Sequence, residues 1–209
     1  MNYTQLVSEL ESYVENKFTT TDINAFIKQA EQRIYNSVQL PALRKNVTGT
    51  LTANNKYLSC PSDWLATFSI AVVDSDGNYN YLLNKDVNYI REAYPAPNNL
   101  GFPEHYAIFD EDTFILGPTP DDSYTVELHY YFYPASIVDA GTSWLGDNFD
   151  TVLLYGALLE AYTYMKGEQD VMAAYQKRYD EALALLKQLS DGKNRGDAYR
   201  NGQAKYPVM

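Results

Sequence analysis

Apolar residues recur every three to four positions at both ends of this chain and every second position in its middle. That change of period, from 3.6 to 2 and back, dictates helices, then sheet, then helices. The first forty residues read as two amphipathic helices. Thr4 is placed to cap the first, whose apolar positions are Leu6, Val7, Leu10, Tyr13 and Val14. The TTTD run at Thr19 to Asp22 ends it and caps the second. There Ile23, Phe26, Ile27, Ala30, Ile34 and Val38 share one stripe, and Pro41 stops the helix.

From Arg44 to about Pro134 the period is two. Val47, Gly49 and Leu51 alternate with polar neighbours, and Tyr57–Leu58, Phe68–Val73 and Tyr79–Leu83 are further strand segments. The Asp76–Gly77 turn joins the last two as a hairpin. Phe114–Leu116 and Tyr124–Tyr133 are expected to form a second hairpin around GPTPDD. Lys85 to Tyr94 reads as a short helix, followed by the long loop PAPNNLGFP.

The period then returns to 3.6. Asp147 is placed to cap a helix from Asn148 to Lys166 that is apolar on nearly every face, the mark of a central, buried helix, with Gly167 ending it. The next helix, from about Asp170 to Leu189, carries a seam of Val171, Tyr175, Tyr179, Ala182, Leu186 and Leu189. These readings give an α+β chain: an antiparallel helical bundle of N- and C-terminal helices, an inserted antiparallel β domain, and an extended C-terminal tail. The expected boundaries are 1–43 and 141–190 for the bundle, 44–140 for the insertion with its short helix, and 191–209 for the tail.

Charge divides the chain in the same way. The net charge is −11, yet residues 191–209 sum to +2, from Lys193, Arg195, Arg200 and Lys205 against Asp191 and Asp197. The other 190 residues therefore carry −13. No Lys or Arg occurs from Glu92 to Met165, a span with twelve acids. Tight binding along duplex DNA demands the opposite sign. No stretch approaches the roughly 18 apolar residues of a membrane helix, so no membrane partner is expected. MNYTQLVSELESYVE has neither the basic nor the apolar region of a signal peptide.

Catalytic material is sparse. Cys60 is the only cysteine, and its expected state is a buried, inert thiol. His105 and His129 are the only histidines, and neither has a nucleophile at a motif distance; both read as structural or surface residues. Asp74, Asp76 and Asn78 imitate the start of a calcium loop, but the sixth position is Tyr79 and the twelfth Lys85, so a hairpin turn is the better reading. Asp110, Glu111 and Asp112, with Asp121 and Asp122, read as solvated turn residues rather than a cation site. Carboxylates and aromatic rings suit glycoside hydrolysis, but no spacing singles out a pair. No enzyme activity, cofactor or metal is expected.

Two features remain. Tyrosine occurs 20 times, which suits interfaces and carbohydrate stacking alike. The tail alternates basic and aromatic residues: Arg195, Tyr199, Arg200, Lys205 and Tyr206. It reads either as a solubilising end or as an arm that orders on an acidic partner.

Four phrases together resemble the head-to-tail adaptor, or connector, proteins of tailed bacteriophages. They are RIYNSVQLPALRKNVTG (Arg33–Gly49), NKYLSCPSDWL (Asn55–Leu65), LLNKDVNYIREAYP (Leu82–Pro95) and FILGPTPDDSYTVELHYY (Phe114–Tyr131). The likeness runs from about Tyr3 to Leu189 and rests on extent and order rather than on one motif. It implies a structural protein of the virion neck, assembled in the host cytoplasm, forming a ring typically of about twelve copies beneath the portal. It implies portal protein, a tail or nozzle component and further copies of the chain as partners, with double-stranded DNA passing through unbound. It also implies a C-terminal extension that embraces the portal, which makes Arg195, Tyr199, Arg200, Lys205 and Tyr206 the expected portal contacts. The alternative is a tail-associated carbohydrate- or receptor-binding protein, with rings from Pro95–Pro103 and Tyr124–Tyr133.

Overall fold

Local capping chemistry decides where each helix begins. In the computed structural model, which describes residues 1–96 and 98–194 (192–194 as backbone), α1 spans Tyr3–Val14 and α2 spans Thr20–Ser37. Asn2, not Thr4, caps α1: its side chain accepts from the Gln5 N–H while the Gln5 side chain accepts from the Asn2 N–H, both at 2.9 Å. Thr19 caps α2 through the Asp22 N–H at 3.2 Å. The helix ends at Ser37, and Pro41–Leu43 form one 3-10 turn.

The strands are β1 (Arg44–Thr50), β2 (Tyr57–Ser59), β3 (Ala66–Val73), β4 (Tyr79–Tyr81) and β5 (Leu83–Asn84), then helix α3 (Val87–Ala93). After it come β6 (Leu100–Gly101), β7 (His105–Asp110), β8 (Thr113–Gly117), β9 (Thr119–Pro120) and β10 (Thr125–Tyr131). The chain closes with α4 (Ile137–Ala140), α5 (Trp144–Asn148), α6 (Asp150–Met165) and α7 (Gln169–Asn194). It is a mixed α+β protein, with seven helices among the described residues and sheets that are mainly antiparallel. It divides into two compact units, Arg44–Phe132 and the remainder.

In the helical unit, α1, α2, α5 and α7 all pack on α6. The apolar residues of α6 are buried around its whole circumference, among them Val152, Leu153, Leu154, Leu158 and Leu159. The expected α2 stripe is buried throughout. Asp147 does not cap α6. Ser143 caps α5 through the Gly146 N–H, which leaves Asp147 inside that turn, and Phe149 breaks the chain before α6 starts. The left-handed residue ending α6 is Lys166 rather than Gly167. On α7 the seam holds at Tyr179, Ala182 and Leu186, but Leu189 is 37% exposed and Ser190 only 2%. A straight helix advances 3.6 residues per turn, so the inward position drifts off a heptad spacing. Helix α7 also runs four residues past Ser190, into the stretch expected to be tail.

Close approach along α6 depends on Gly156. A Cβ there would stand 3.1 Å from the Ala30 Cβ and 3.4 Å from the Tyr179 ring.

The sheet unit holds two four-stranded sheets, ordered β1-β10-β3-β4 and β2-β8-β7-β5. Ile70, Val72, Val126, Leu128 and Tyr130 of the first share one core with Tyr106, Phe114 and Leu116 of the second. Helix α3 covers the other face of the second sheet, setting Ile90 against Ala107 and Ile115. The β3–β4 hairpin turns at Gly77, whose φ of 84° suits glycine. The expected strand Tyr79–Leu83 splits at buried Leu82, whose N–H reaches Ile70 while Leu83 pairs in the other sheet.

The expected second hairpin does not form. β8 pairs with β2 and β7, whereas β10 pairs with β1 and β3. GPTPDD is a crossover from one sheet to the other. Pro118 and Pro120 supply no N–H to a ladder, which disfavours a hairpin there. The second hairpin is β7–β8, turning at Glu111–Asp112. The region is also not wholly antiparallel: β5–β7 and β6–β9 are short parallel pairs.

Tyr130 is fully buried, and its hydroxyl donates to Asp63 at 2.7 Å, while Lys45 pairs with the other Asp63 oxygen at 2.7 Å. Lys45 first, and the Tyr130 hydroxyl second, hold the Asp63 carboxyl below its ordinary 3.8. A carboxyl lowered by folding contributes stability above its unfolded pKa, and that share fades as pH falls from about 4 through the folded value.

Two predictions follow from these contacts. Gly156→Val forces α2 and α7 away from α6 and costs about 2 kcal/mol in urea unfolding. Tyr130→Phe costs about 1 kcal/mol at pH 7, and its unfolding curve loses less on acidification below pH 4 than the wild type does.

Candidate interaction surfaces

The residues expected to touch the portal, Arg195, Tyr199, Arg200, Lys205 and Tyr206, lie outside the described residues. The described chain ends on α7, whose last buried side chain, Ser190, donates its hydroxyl to the Gln39 carbonyl. That bond ties the C-terminal part of α7 to the segment that follows α2.

The tyrosines of the described residues occupy several settings. Tyr35, Tyr106, Tyr130 and Tyr179 are buried. Tyr13, Tyr155, Tyr162 and Tyr175 form one cluster on the helical unit, with ring centroids 5.0 to 6.5 Å apart. Burial first, and the Tyr162 hydroxyl next, push the Tyr175 phenol up to about 12. Tyr57, Tyr79, Tyr81 and Tyr89 stand exposed on the sheet unit. Two of the rings expected to stack on glycans are engaged internally: Tyr130 as above, and Tyr124, which bonds Asp121 at 2.7 Å and packs on Phe102.

One face of the β1-β10-β3-β4 sheet is solvent-facing and aromatic. Arg44 lies over the rings of Phe68 and Tyr131, and the Phe68 ring meets His129 edge-on at 4.8 Å. Asn46 donates to Glu127 across the strands. His105, at the start of β7, shares a 3.0 Å hydrogen bond with the Tyr94 hydroxyl.

Two of the acidic residues singled out from the sequence brace turns. Asp74 accepts from the Asp76 and Asn78 N–H groups and from the Asn78 and Asn80 amides, and the Asn78 N–H is the first cause of its lowered pKa. Asp110 accepts from the Asp112 N–H. Among the described residues no three of His, Cys, Asp and Glu gather as a metal ion needs. Cys60 is half-buried rather than buried, and burial, then Asp112 and Asp110, push its thiol up to about 11.

Two hollows were not foreseen. The first, about 270 Å³, is lined in the sheet unit by Lys56, Tyr57, Ile90, Arg91, Tyr94 and Thr119. Lys56 lies over Tyr57 and Arg91 over Phe109, each 5.5 Å from the ring centre. The second, about 190 Å³, lies in the helical unit beside Glu31, Tyr35, Tyr133 and Ser136. Glu31 is 3% exposed and accepts from the Ile137 N–H at 2.9 Å. Burial is the first cause of its raised pKa, opposed by that N–H and by Ser136. One sequence signal marked it: Glu31 falls among the core positions Ile27, Ala30 and Ile34.

Among the described residues no helix is long and apolar enough to cross a membrane. No curated protein matches the chain. Residues 1–204 match the family described as SU10 adaptor protein. That family implies a non-enzymatic component of a phage virion that meets other head and tail proteins. The chain belongs to the SU10 adaptor protein family.

Proposed function

We propose that the protein is the head-to-tail adaptor of a tailed phage: a ring, of about twelve copies, that joins the portal to the tail. The family match over residues 1–204 carries this reading. In it the helical unit is an antiparallel bundle and the sheet unit its insertion. A closed ring needs two unlike faces on each copy, burying about 800 Å² per partner. Exposed tyrosines on both units supply contact area at low entropic cost.

Charge supports the division of labour. The sheet unit, Arg44–Phe132, has twelve acids against five Lys and Arg, a net of −7. Walls of that sign repel phosphates, so DNA slides through without adhering. The arm is the cationic exception. It docks on an acidic portal surface, with Arg195, Arg200 and Lys205 supplying charge-assisted hydrogen bonds and Tyr199 and Tyr206 the apolar area. The sequence at Ser190 fits this role, because fixing the end of α7 gives the arm a defined point of departure.

Reversing the charge at all three basic positions (Arg195→Glu, Arg200→Glu, Lys205→Glu) tests it. The full-length variant should bind the cognate portal about 100-fold more weakly or worse, measured by surface plasmon resonance, since each lost charged contact is worth about 1.5–3 kcal/mol. Unchanged affinity refutes the arm.

A further inference from the structure

Glu31 is the one strongly buried carboxylate among the described residues. Its oxygens take the Ile137 N–H and the Ser136 side chain, but no Lys or Arg among the described residues forms an ion pair with it; Lys28 pairs instead with Asp139, at 3.0 Å. Lys28 and Asp139 line the same hollow and act on Glu31 with opposite sign, so two carboxylates share one ammonium there and the buried one is only partly compensated, which is costly. Beside it the Tyr35 hydroxyl is buried with no hydrogen-bond partner. Both residues line the same hollow, whose wall also holds the ring of Tyr133, tilted 31° to that of Tyr35. An anionic acceptor, a neutral acceptor and flat aromatic walls together suit a guanidinium or an ammonium group.

The chain itself supplies such a group close by. Tyr35 lies in the last turn of α2, and Gln39, four residues on, receives the Ser190 hydroxyl of α7. Six residues carry the chain from Asn194 to Arg200, up to about 20 Å if extended. That reach allows the arm to pass round the C-terminal end of α2 from the α7 side to the hollow.

We infer that the hollow beside Glu31 is a receptor for a basic side chain, and that its occupant in the free subunit is the chain's own arm, through Arg195, Arg200 or Lys205. The arm is then parked until a partner displaces it. The consequence for assembly rests on the reading of the arm as the portal-docking element; the parking itself does not.

Trypsin cleaves after each of these three residues, so the full-length free chain reports its own occupancy. Cleavage at the docked residue should be about tenfold faster in Glu31→Gln than in the wild type, and independent of protein concentration. Gln retains an oxygen for the Ile137 N–H, and an unchanged thermal melt confirms that the variant folds. Should it not fold, a carbodiimide supplies the second readout: it should join Glu31 to the side chain at 195, 200 or 205 in the Arg195→Lys/Arg200→Lys chain. Equal cleavage rates in the two folded chains, or no crosslink at Glu31, overturn the inference. Protection that grows with concentration overturns the intramolecular occupant in favour of a neighbour's arm. No portal is used, so failure of the adaptor reading leaves this result standing.

Discussion

The helical unit depends on the burial of α6. A helix apolar on every face cannot be satisfied by one neighbour, since one helix covers only a stripe of another. It therefore draws α1 and α2 from the start of the chain and α7 from its end onto a single rod. Each fully buried Leu or Val contributes roughly 1.5–3 kcal/mol of transfer free energy. Gly156 sets how closely the rods approach, and the terminal ties follow from that packing: Ser190 to Gln39, and the Met1 amino group to the Gly146 carbonyl.

Each unit is held by a core of its own. The sheet unit has its own core, closed by strands that cross from one sheet to the other at Leu82 and at GPTPDD. Asp74 and Asp110 are held in their turns by backbone N–H groups. In the proposed reading, an anionic sheet unit and a cationic C-terminal stretch divide the work of passing DNA and docking on protein.

The hydrophobic period made most elements legible. The α2 stripe, the all-round apolar α6 and the β3–β4 hairpin follow from local spacing and local turn chemistry. What was not legible is non-local or competitive. Strand pairing on either side of GPTPDD depends on partners 52 to 87 residues away in sequence, and alternation says nothing about which partner is chosen. Asn2 caps α1 in place of Thr4 because it completes a reciprocal pair with Gln5, and Asp147 caps nothing because Ser143 opens a separate helix, α5, around it. Leu189 yields to Ser190 because the seam was drawn on a heptad and the helix is not wound to one. Of the contact surfaces, the exposed tyrosines were anticipated as a class, but the Glu31 hollow was not. A lone acid in an apolar stripe looks like noise until the N–H that it caps, at Ile137 and over one hundred residues away, is known.

The central claim is that this chain assembles on a portal as an adaptor. The most direct measurement is the mass of the complex formed with the cognate portal ring, by light scattering after gel filtration. The account predicts a discrete species with one copy of this chain per portal subunit. A chain that stays folded and elutes apart from the portal, with no change in the mass of either, would contradict it.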